Sequence, residues 1–178
     1  MKIVFYGGRQ SGMVALLTLL ALKHEVVCVI PVDDPVERAA KSFKLNIKKP
    51  EDINDKKFVE YLKNLKSGLL VCCHGRKILK KDILTIKAIN LHPCLYKYKG
   101  ADPIGRMLKD KETKASVGVH WMTEDVDRGE VIVEEFLTTK GSNVMEIYNE
   151  LYPLYSEVLV EAIDKIKLDR SDSSLAQS

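Results

Sequence analysis

The chain has 178 residues, of which 46% are hydrophobic and 30% are charged, and this balance predicts one soluble globular domain with a sizeable core. Its formal net charge of +3 is too small to predict nucleic-acid binding by itself. No apolar run approaches the roughly 18 residues of a transmembrane helix, and the first residues enter a strand pattern directly, without a secretory leader pattern.

Apolar strand patterns alternate with amphipathic helical patterns along the chain. We predict strands over residues 2–6, 25–30, 46–48, 69–73, 86–92, 116–122 and 131–138. We predict a turn over residues 7–12 and helices over residues 13–22, 35–43, 55–65, 103–109 and 143–167, the last one interrupted near Pro153. Strands joined through helices predict an α/β fold, with an open, mainly parallel, Rossmann-like sheet and helices on both faces. We expect one domain over residues 1–168 and a disordered Ser- and Asp-rich tail over residues 169–178.

The four cysteines, Cys28, Cys72, Cys73 and Cys94, show no C-x-x-C spacing. This pattern is typical of reduced thiols rather than of a disulfide framework. A joint metal site at Cys72, Cys73 and His74 is not expected, because adjacent residues of a strand point to opposite faces. We therefore predict a cytoplasmic protein without a bound metal.

The most informative segment, residues 88–130, carries an amide, an imidazole and a carboxylate in that order. In a strand over residues 88–92, Asn90 and His92 point to the same face, because side chains alternate with a period of two. Pro93 has no backbone donor and ends the pairing, which leaves this pair at a strand's carboxyl end, where open α/β sheets bind ligands. Asp127, two residues before Gly129, would orient the imidazole and relay a proton if the fold returned it to the pair. We predict Asn90, His92 and Asp127 as catalytic residues, although an isolated Asn-x-His-Pro pattern is also typical of strand ends.

This segment resembles the signature of the folate-dependent formyltransferases, the family of glycinamide ribonucleotide, methionyl-tRNA and sugar N-formyltransferases. The family pattern reads roughly Asn-x-His-Pro-Ser-Leu-Leu-Pro-x-Tyr-Arg-Gly, then Gly-x-Thr-x-His and a closing Asp-x-Gly. The matching residues are Asn90-Leu91-His92-Pro93-Cys94-Leu95, Tyr98-Lys99-Gly100, Gly118-Val119-His120 and Asp127-Arg128-Gly129. The chain departs from the pattern at Cys94, where the family has serine, and in a loop before Tyr98 that is one residue shorter. The resemblance runs from Met1 to about Lys167, and it implies the formyltransferase fold and 10-formyltetrahydrofolate as the formyl donor.

The resemblance also implies a two-walled slot for the donor. One wall is a loop with Arg76, Lys77, Ile78 and Leu79, and the other is the stretch of Met122, Thr123, Glu124, Asp125 and Val126. A pterin is a flat apolar body edged by donors and acceptors, so an apolar slot with main-chain groups suits it. Without the resemblance, Ile78 and Leu79 are equally typical of ordinary core residues.

Two further segments are expected to contact the acceptor. Gly7, Gly8 and Arg9 follow the first strand, so their amides either form a plain turn or cradle an anion. This loop spells neither a dinucleotide motif nor a P-loop. It also lacks the Ser-Gly-x-Gly-Ser-Asn-like loop of the glycinamide ribonucleotide enzymes, which counts against that substrate. The second segment is Tyr98, Lys99 and Gly100.

Formyl transfer between nitrogen atoms is acyl transfer through a tetrahedral intermediate that carries an oxyanion. We expect Asn90 and His92 to donate hydrogen bonds to that oxygen, and Asp127 to hold His92 and pass protons, directly or through water. No covalent enzyme intermediate is required. A Cys94 thiolate is the disfavoured alternative, because His92 is its only evident base. We interpret His120 as structural.

The amine acceptor is less constrained by the sequence. Methionyl-tRNA enzymes of the family insert a long basic loop where only residues 31–35 stand here, and they add a tRNA-binding domain after the closing helix. We therefore expect a small-molecule amine, in the first place an amino-sugar nucleotide, and we expect neither tRNA nor a membrane as a partner. The alternatives left open are a methionyl-tRNA formyltransferase-like enzyme, a 10-formyltetrahydrofolate hydrolase and a non-catalytic folate-binding protein. The oligomeric state is also open, with a homodimer under consideration.

Overall fold

The computed structural model of the chain describes residues 1–175, with side chains to residue 169. The six strands are β1 (Lys2–Gly7), β2 (Glu25–Pro31), β3 (Leu69–Cys73), β4 (Ala88–Pro93), β5 (Lys114–Trp121) and β6 (Val131–Thr138). The helices are α1 (Arg9–Ala21), α2 (Asp34–Ser42), α3 (Lys56–Asn64), α4 (Pro103–Lys109) and α5 (Val144–Leu175), with a 3-10 turn at Ile83–Thr85.

One six-stranded sheet has the order β2-β1-β3-β4-β5-β6. The pairings among β2, β1, β3 and β4 are parallel, and the pairings of β4 with β5 and of β5 with β6 are antiparallel. The predicted open α/β sheet is confirmed, and the structure adds an antiparallel edge. The reversal between β5 and β6 has a local cause, because β6 returns beside β5 through the short connection of residues 122–130, which has no room for a crossover helix.

Helices cover both faces of the sheet, as predicted. Alternate residues of β1 enter different cores: Phe5 belongs to the cluster shared with α1, α2, α4 and α5, and Tyr6 belongs to the cluster shared with α3 and the 3-10 turn. This alternation is the two-residue period of a strand buried on both faces.

Three of the predicted elements differ from the structure by more than a shift of one or two residues. Helix α1 begins at Arg9, inside the predicted turn, because Ser11 and Gly12 are buried and packing outweighs their low helix propensity. The predicted strand at residues 46–48 is a single parallel bridge between Ile47 and Val29. Helix α5 continues through Pro153 without interruption.

The end of α5 also differs from the predicted boundary. The helix runs to Leu175, past Asp169, where the composition predicts the start of a disordered tail. Extending an existing helix fixes one residue per added hydrogen bond, so polar composition alone does not stop it. The last part of that predicted tail, residues 176–178, lies outside the described residues. Within residues 1–175, no helix combines the length and hydropathy needed to span a membrane.

Candidate active site

A cavity of about 610 Å³ opens at the carboxyl ends of β3 and β4. Its walls come from the loops that follow β1, β3, β4 and β5, and from the first turns of α5. In the strand order, β2 lies on one side of β1 and β3 lies on the other. Open α/β sheets bind ligands at the carboxyl ends of the strands where the order reverses in this way.

The three predicted catalytic residues meet in this cavity. Asn90 and His92 come from β4, and Asp127 comes from the connection between β5 and β6. Asp127 Oδ2 lies 3.0 Å from His92 Nε2, and Asp127 Oδ1 accepts a hydrogen bond from Asn90 Nδ2 at 3.3 Å. Asp127 Oδ2 also accepts the Gly100 N–H at 2.8 Å. The side chains of His92 and Asp127 are each 9% exposed, so the pair is largely withdrawn from water yet open to the cavity.

The hydrogen-bond partners of His92 indicate its protonation. Nδ1 lies 2.8 Å from the Pro93 carbonyl oxygen, and it donates its hydrogen to that oxygen. Nε2 lies 3.0 Å from Asp127 Oδ2 and 3.2 Å from the Gly100 carbonyl oxygen. All three partners are acceptors, so the ring satisfies them with a hydrogen on each nitrogen. This geometry therefore favours an imidazolium paired with a carboxylate.

Asp127 is held as the carboxylate. Burial raises its pKa, but hydrogen bonds from His120 and His92, the charge of His92 and the Gly100 N–H outweigh that effect and bring the pKa well below its usual value. Asp127 also has a left-handed backbone with φ of 54°, which aspartate tolerates better than most residues. The carboxylate therefore accepts protons only in passing and acts mainly by orienting His92.

His120 belongs to this group, although we interpreted it as structural. It lies directly opposite Asn90 in the β4–β5 register and is 1% exposed. Its Nδ1 donates to the Trp121 carbonyl oxygen at 2.8 Å, and its Nε2 lies 3.3 Å from Asn90 Nδ2 and 3.4 Å from Asp127 Oδ1. The available sequence signal was the histidine of the Gly118-Val119-His120 motif. The cross-strand register that aims it at Asn90 appears only in the fold.

The two predicted donor walls line the same cavity. Arg76, Lys77, Ile78 and Leu79 all line it, and so do Met122, Thr123 and Val126. Ile78 and Val126 are 64% and 47% exposed, so both walls present apolar edges that no core covers. Glu124 and Asp125 do not line the cavity. The slot is thus apolar at its mouth and polar at its floor, the pattern of a small-molecule site.

The first acceptor segment is only partly at the cavity. Arg9 lines it, whereas Gly7 and Gly8 are buried and do not. The Gly8 N–H donates to the Cys73 carbonyl oxygen at 3.0 Å, and the Arg9 N–H donates to both Asp33 carboxylate oxygens at 2.9 and 2.8 Å. The Gly8 and Arg9 amides therefore already have acceptors within the protein and do not form an anion cradle. Of this segment, only the Arg9 side chain remains for a ligand.

The second acceptor segment is also corrected by the structure. Gly100 lines the cavity, but Tyr98 is 4% exposed in the core and donates its hydroxyl hydrogen to Asp110 at 2.9 Å. Lys99 does not line the cavity, and its carbonyl oxygen accepts from Arg106 at 2.6 Å. These two residues brace the loop that presents Gly100 to Asp127.

Cys94 is built into the core and not into the cavity. Its side chain is fully buried, and its Sγ lies 3.4 Å from Met107 Sδ. Burial raises the thiol pKa to about 11, against the effect of the Ser116 backbone, so the thiolate needed for nucleophilic attack is scarce. We expect Cys94→Ser to retain formyl transfer and to lose about 1 kcal/mol of stability for burying a hydroxyl. Single-turnover assays beside circular dichroism test this, and a folded but inactive variant would restore the thiol mechanism.

We expect the buried His74 to make the fold sensitive to acid. Its Nε2 is hydrogen-bonded to the Tyr155 hydroxyl at 3.0 Å, and its ring packs edge-on against Tyr148. Burial, followed by the charges of Arg9 and His92, lowers its pKa to about 3. An unfolded histidine titrates near 6.5, so between these two values the unfolded chain binds more protons and stability falls as the pH falls.

We expect His74→Asn to weaken this acid sensitivity. From pH 6 to 4, wild-type unfolding should take up roughly one proton more than unfolding of the variant. Urea denaturation of both proteins across this range measures the difference. The pH profile of His24→Asn is measured beside them, because burial also lowers the pKa of His24 and gives it an acid sensitivity of the same sign. Parallel pH profiles for wild type and His74→Asn would contradict the assignment.

Comparison with known proteins agrees with this geometry. Residues 1–163 match the family described as formyl transferase. The methionyl-tRNA formyltransferase of Moorella thermoacetica is 30% identical over 188 residues, covering 96% of this chain and 60% of that protein. The bifunctional polymyxin resistance protein ArnA of Wigglesworthia glossinidia brevipalpis is 30% identical over 174 residues, covering 86% of this chain and 27% of that protein.

The fold is shared with solved structures as well. The phosphoribosylglycinamide formyltransferase of Campylobacter jejuni superimposes with a TM-score of 0.75 at 25% identity, covering 93% of this chain and 97% of that one. The chain spans about 60% of the length of the methionyl-tRNA formyltransferases that it matches. The match over residues 1–163 covers most of the 178-residue chain, so the protein belongs to the formyl transferase family.

Proposed function

We propose that this protein transfers the formyl group of 10-formyltetrahydrofolate to the primary amine of an acceptor, with Asn90, His92 and Asp127 as its catalytic residues. The observation that most supports this is the Asp127 carboxylate, held 3.0 Å from His92 Nε2 at the floor of the cavity. An apolar slot above such a pair suits a flat ligand whose reactive atom must reach a proton-transfer group.

The proposed chemistry follows from the hydrogen bonds of the site. The acceptor amine attacks the formyl carbon and forms a tetrahedral intermediate with a negative oxygen. We assign His92 as the charged donor to that oxygen, with its Nε2–H turning away from the Gly100 carbonyl oxygen, 3.2 Å away. Asn90 Nδ2 becomes a second donor when it releases its long hydrogen bond to Asp127, of 3.3 Å. Asp127 holds His92 in place and passes the amine proton to the donor nitrogen, whose bond to the formyl carbon then breaks to release tetrahydrofolate and the formylated amine.

For the acceptor we propose a small amine, in the first place an amino-sugar nucleotide. Two features support a small ligand. The segment after β2 is short and carries no basic insertion. Its Asp33 carboxylate instead accepts the Arg9 N–H at the start of α1. Arg9 is the cationic side chain at the acceptor end of the cavity, where it could meet an anionic group of the acceptor.

Methionyl-tRNA is the second candidate acceptor. Several similar proteins are named methionyl-tRNA formyltransferase, so our expectation that tRNA is not a partner lacks their support. In this reading, the aminoacyl end of the tRNA would enter the same cavity, and phosphate contacts elsewhere would dominate affinity.

A direct assay separates these functions. The protein is incubated with 10-formyltetrahydrofolate and, in parallel, with amino-sugar nucleotides, with charged initiator methionyl-tRNA, or with no acceptor. Formylated sugar supports the first proposal, and formyl-methionyl-tRNA at a comparable rate supports the second. Formate release without an acceptor would indicate a hydrolase. Saturable binding of 5-formyltetrahydrofolate without any turnover would indicate a non-catalytic folate-binding protein.

A further inference from the structure

The donor-side loop, residues 74–80, is held by side chains that lie outside the cavity wall. Leu79 is 2% exposed and anchors the loop in the core cluster that contains Tyr6, but Ile78 is 64% exposed, and Arg76 and Lys77 are also exposed. Burial alone therefore anchors this wall at one residue. Its remaining shape depends on hydrogen bonds to its backbone.

Tyr6 supplies the first of these bonds. The Lys77 N–H donates to the Tyr6 hydroxyl oxygen at 2.7 Å, and Tyr6 itself is 4% exposed in the rigid strand β1. The loop also lies against the Tyr6 ring, because a Cβ on Gly75 would be 2.5 Å from the ring and 2.8 Å from Cys72 Sγ. Tyr6 thus sets the position of the loop both by contact and by a directed hydrogen bond.

Asn54 supplies the other two bonds. Its Nδ2 donates to the Ile78 carbonyl oxygen at 3.0 Å, and its Oδ1 accepts the Lys80 N–H at 2.8 Å. The Asn54 amide therefore pairs with the loop as the peptide group of a neighbouring strand would. Asp52 fixes Asn54 in turn, since its Oδ1 accepts the Asn54 backbone N–H at 3.0 Å.

We infer that Tyr6 and Asn54 are positioning residues for the folate donor: they clamp the wall formed by Arg76, Lys77, Ile78 and Leu79 in the shape that binds it. This inference rests on the proposed donor slot. Removing either clamp lets the loop move, so donor binding must also order the loop, which lowers the affinity for the donor. The catalytic residues on β4 stay in place. The loss should therefore appear in donor affinity and not in the chemical step.

The test uses Tyr6→Phe and Asn54→Ala, with Tyr61→Phe and Asn46→Ala as matched controls. The controls remove the same groups from one hydrogen bond, of 2.8 Å between Asn46 Nδ2 and the Tyr61 hydroxyl, which does not touch the cavity. We expect each clamp variant to raise the dissociation constant for 5-formyltetrahydrofolate and the KM for the donor about 5- to 10-fold, the scale of one hydrogen bond. The kcat should stay within about twofold, and both controls should bind the donor as wild type does.

Amide hydrogen exchange gives a readout of the clamp without any ligand. Lys77 should lose protection in Tyr6→Phe, and Lys80 should lose it in Asn54→Ala, while the strands stay protected. Faster loop exchange with an unchanged donor affinity would overturn the inference and leave the proposed function intact. Failure of the wild-type protein to bind the donor at all would overturn both.

Discussion

Alanine in place of His92 or Asp127 should reduce formyl transfer at least about a hundredfold, the usual scale for removing general acid–base help. Each residue loses its hydrogen-bond partner when the other is removed, because His92 Nε2 and Asp127 Oδ2 pair directly at 3.0 Å. Asn90→Ala should cost on the order of 3 kcal/mol in activation free energy by deleting an oxyanion donor. The three effects should be strongly non-additive, since the residues act as one unit.

Single-turnover transfer and donor binding, measured on the same preparations, check this result. All three variants should keep the fold and bind the donor, because the proposed donor walls lie outside the catalytic group. His24→Ala is the matched control, since it removes a buried histidine that does not line the cavity. A folded His92→Ala variant with normal turnover would rule out the mechanism.

Gly129→Ala should be nearly as damaging as Asp127→Ala, although Gly129 carries no functional group. A Cβ at this position would lie 1.7 Å from the Trp121 carbonyl oxygen, so the connection between β5 and β6 must move. That movement displaces Asp127, two residues away, and disturbs the carbonyl oxygen that accepts from His120 Nδ1 at 2.8 Å. We expect turnover to fall at least about a hundredfold and the free energy of unfolding to fall by about 1–3 kcal/mol.

Denaturation in urea and single-turnover assays of Gly129→Ala separate the two effects. Glu130→Ala is the control, because it changes the next residue, whose side chain is exposed, and leaves the close backbone approach intact. Normal turnover in Gly129→Ala would mean that the loop can relocate without moving the carboxylate, and would contradict the role given to this glycine.

Much of the site follows from local sequence. The two-residue period of a strand places Asn90 and His92 on one face, and a proline at the strand end leaves that face at the sheet's carboxyl edge. Alternating strand and helix patterns determine the α/β class, because strands joined through helices pair mainly in parallel and their connecting helices cover the sheet faces. These properties depend on residues close together in the chain, so they can be predicted without knowing the fold.

Other features depend on which distant segments meet, and the tertiary structure decided them. The antiparallel pairing of β5 with β4 sets His120 opposite Asn90, and no local pattern specifies that register. The Asp33 carboxylate accepts the Arg9 N–H, one of the amides that we considered for an acceptor anion, because the turn after β2 ends beside α1. Tyr98 shares the motif with Gly100 but is drawn into the core, since burying an aromatic ring outweighs exposing it to the cavity.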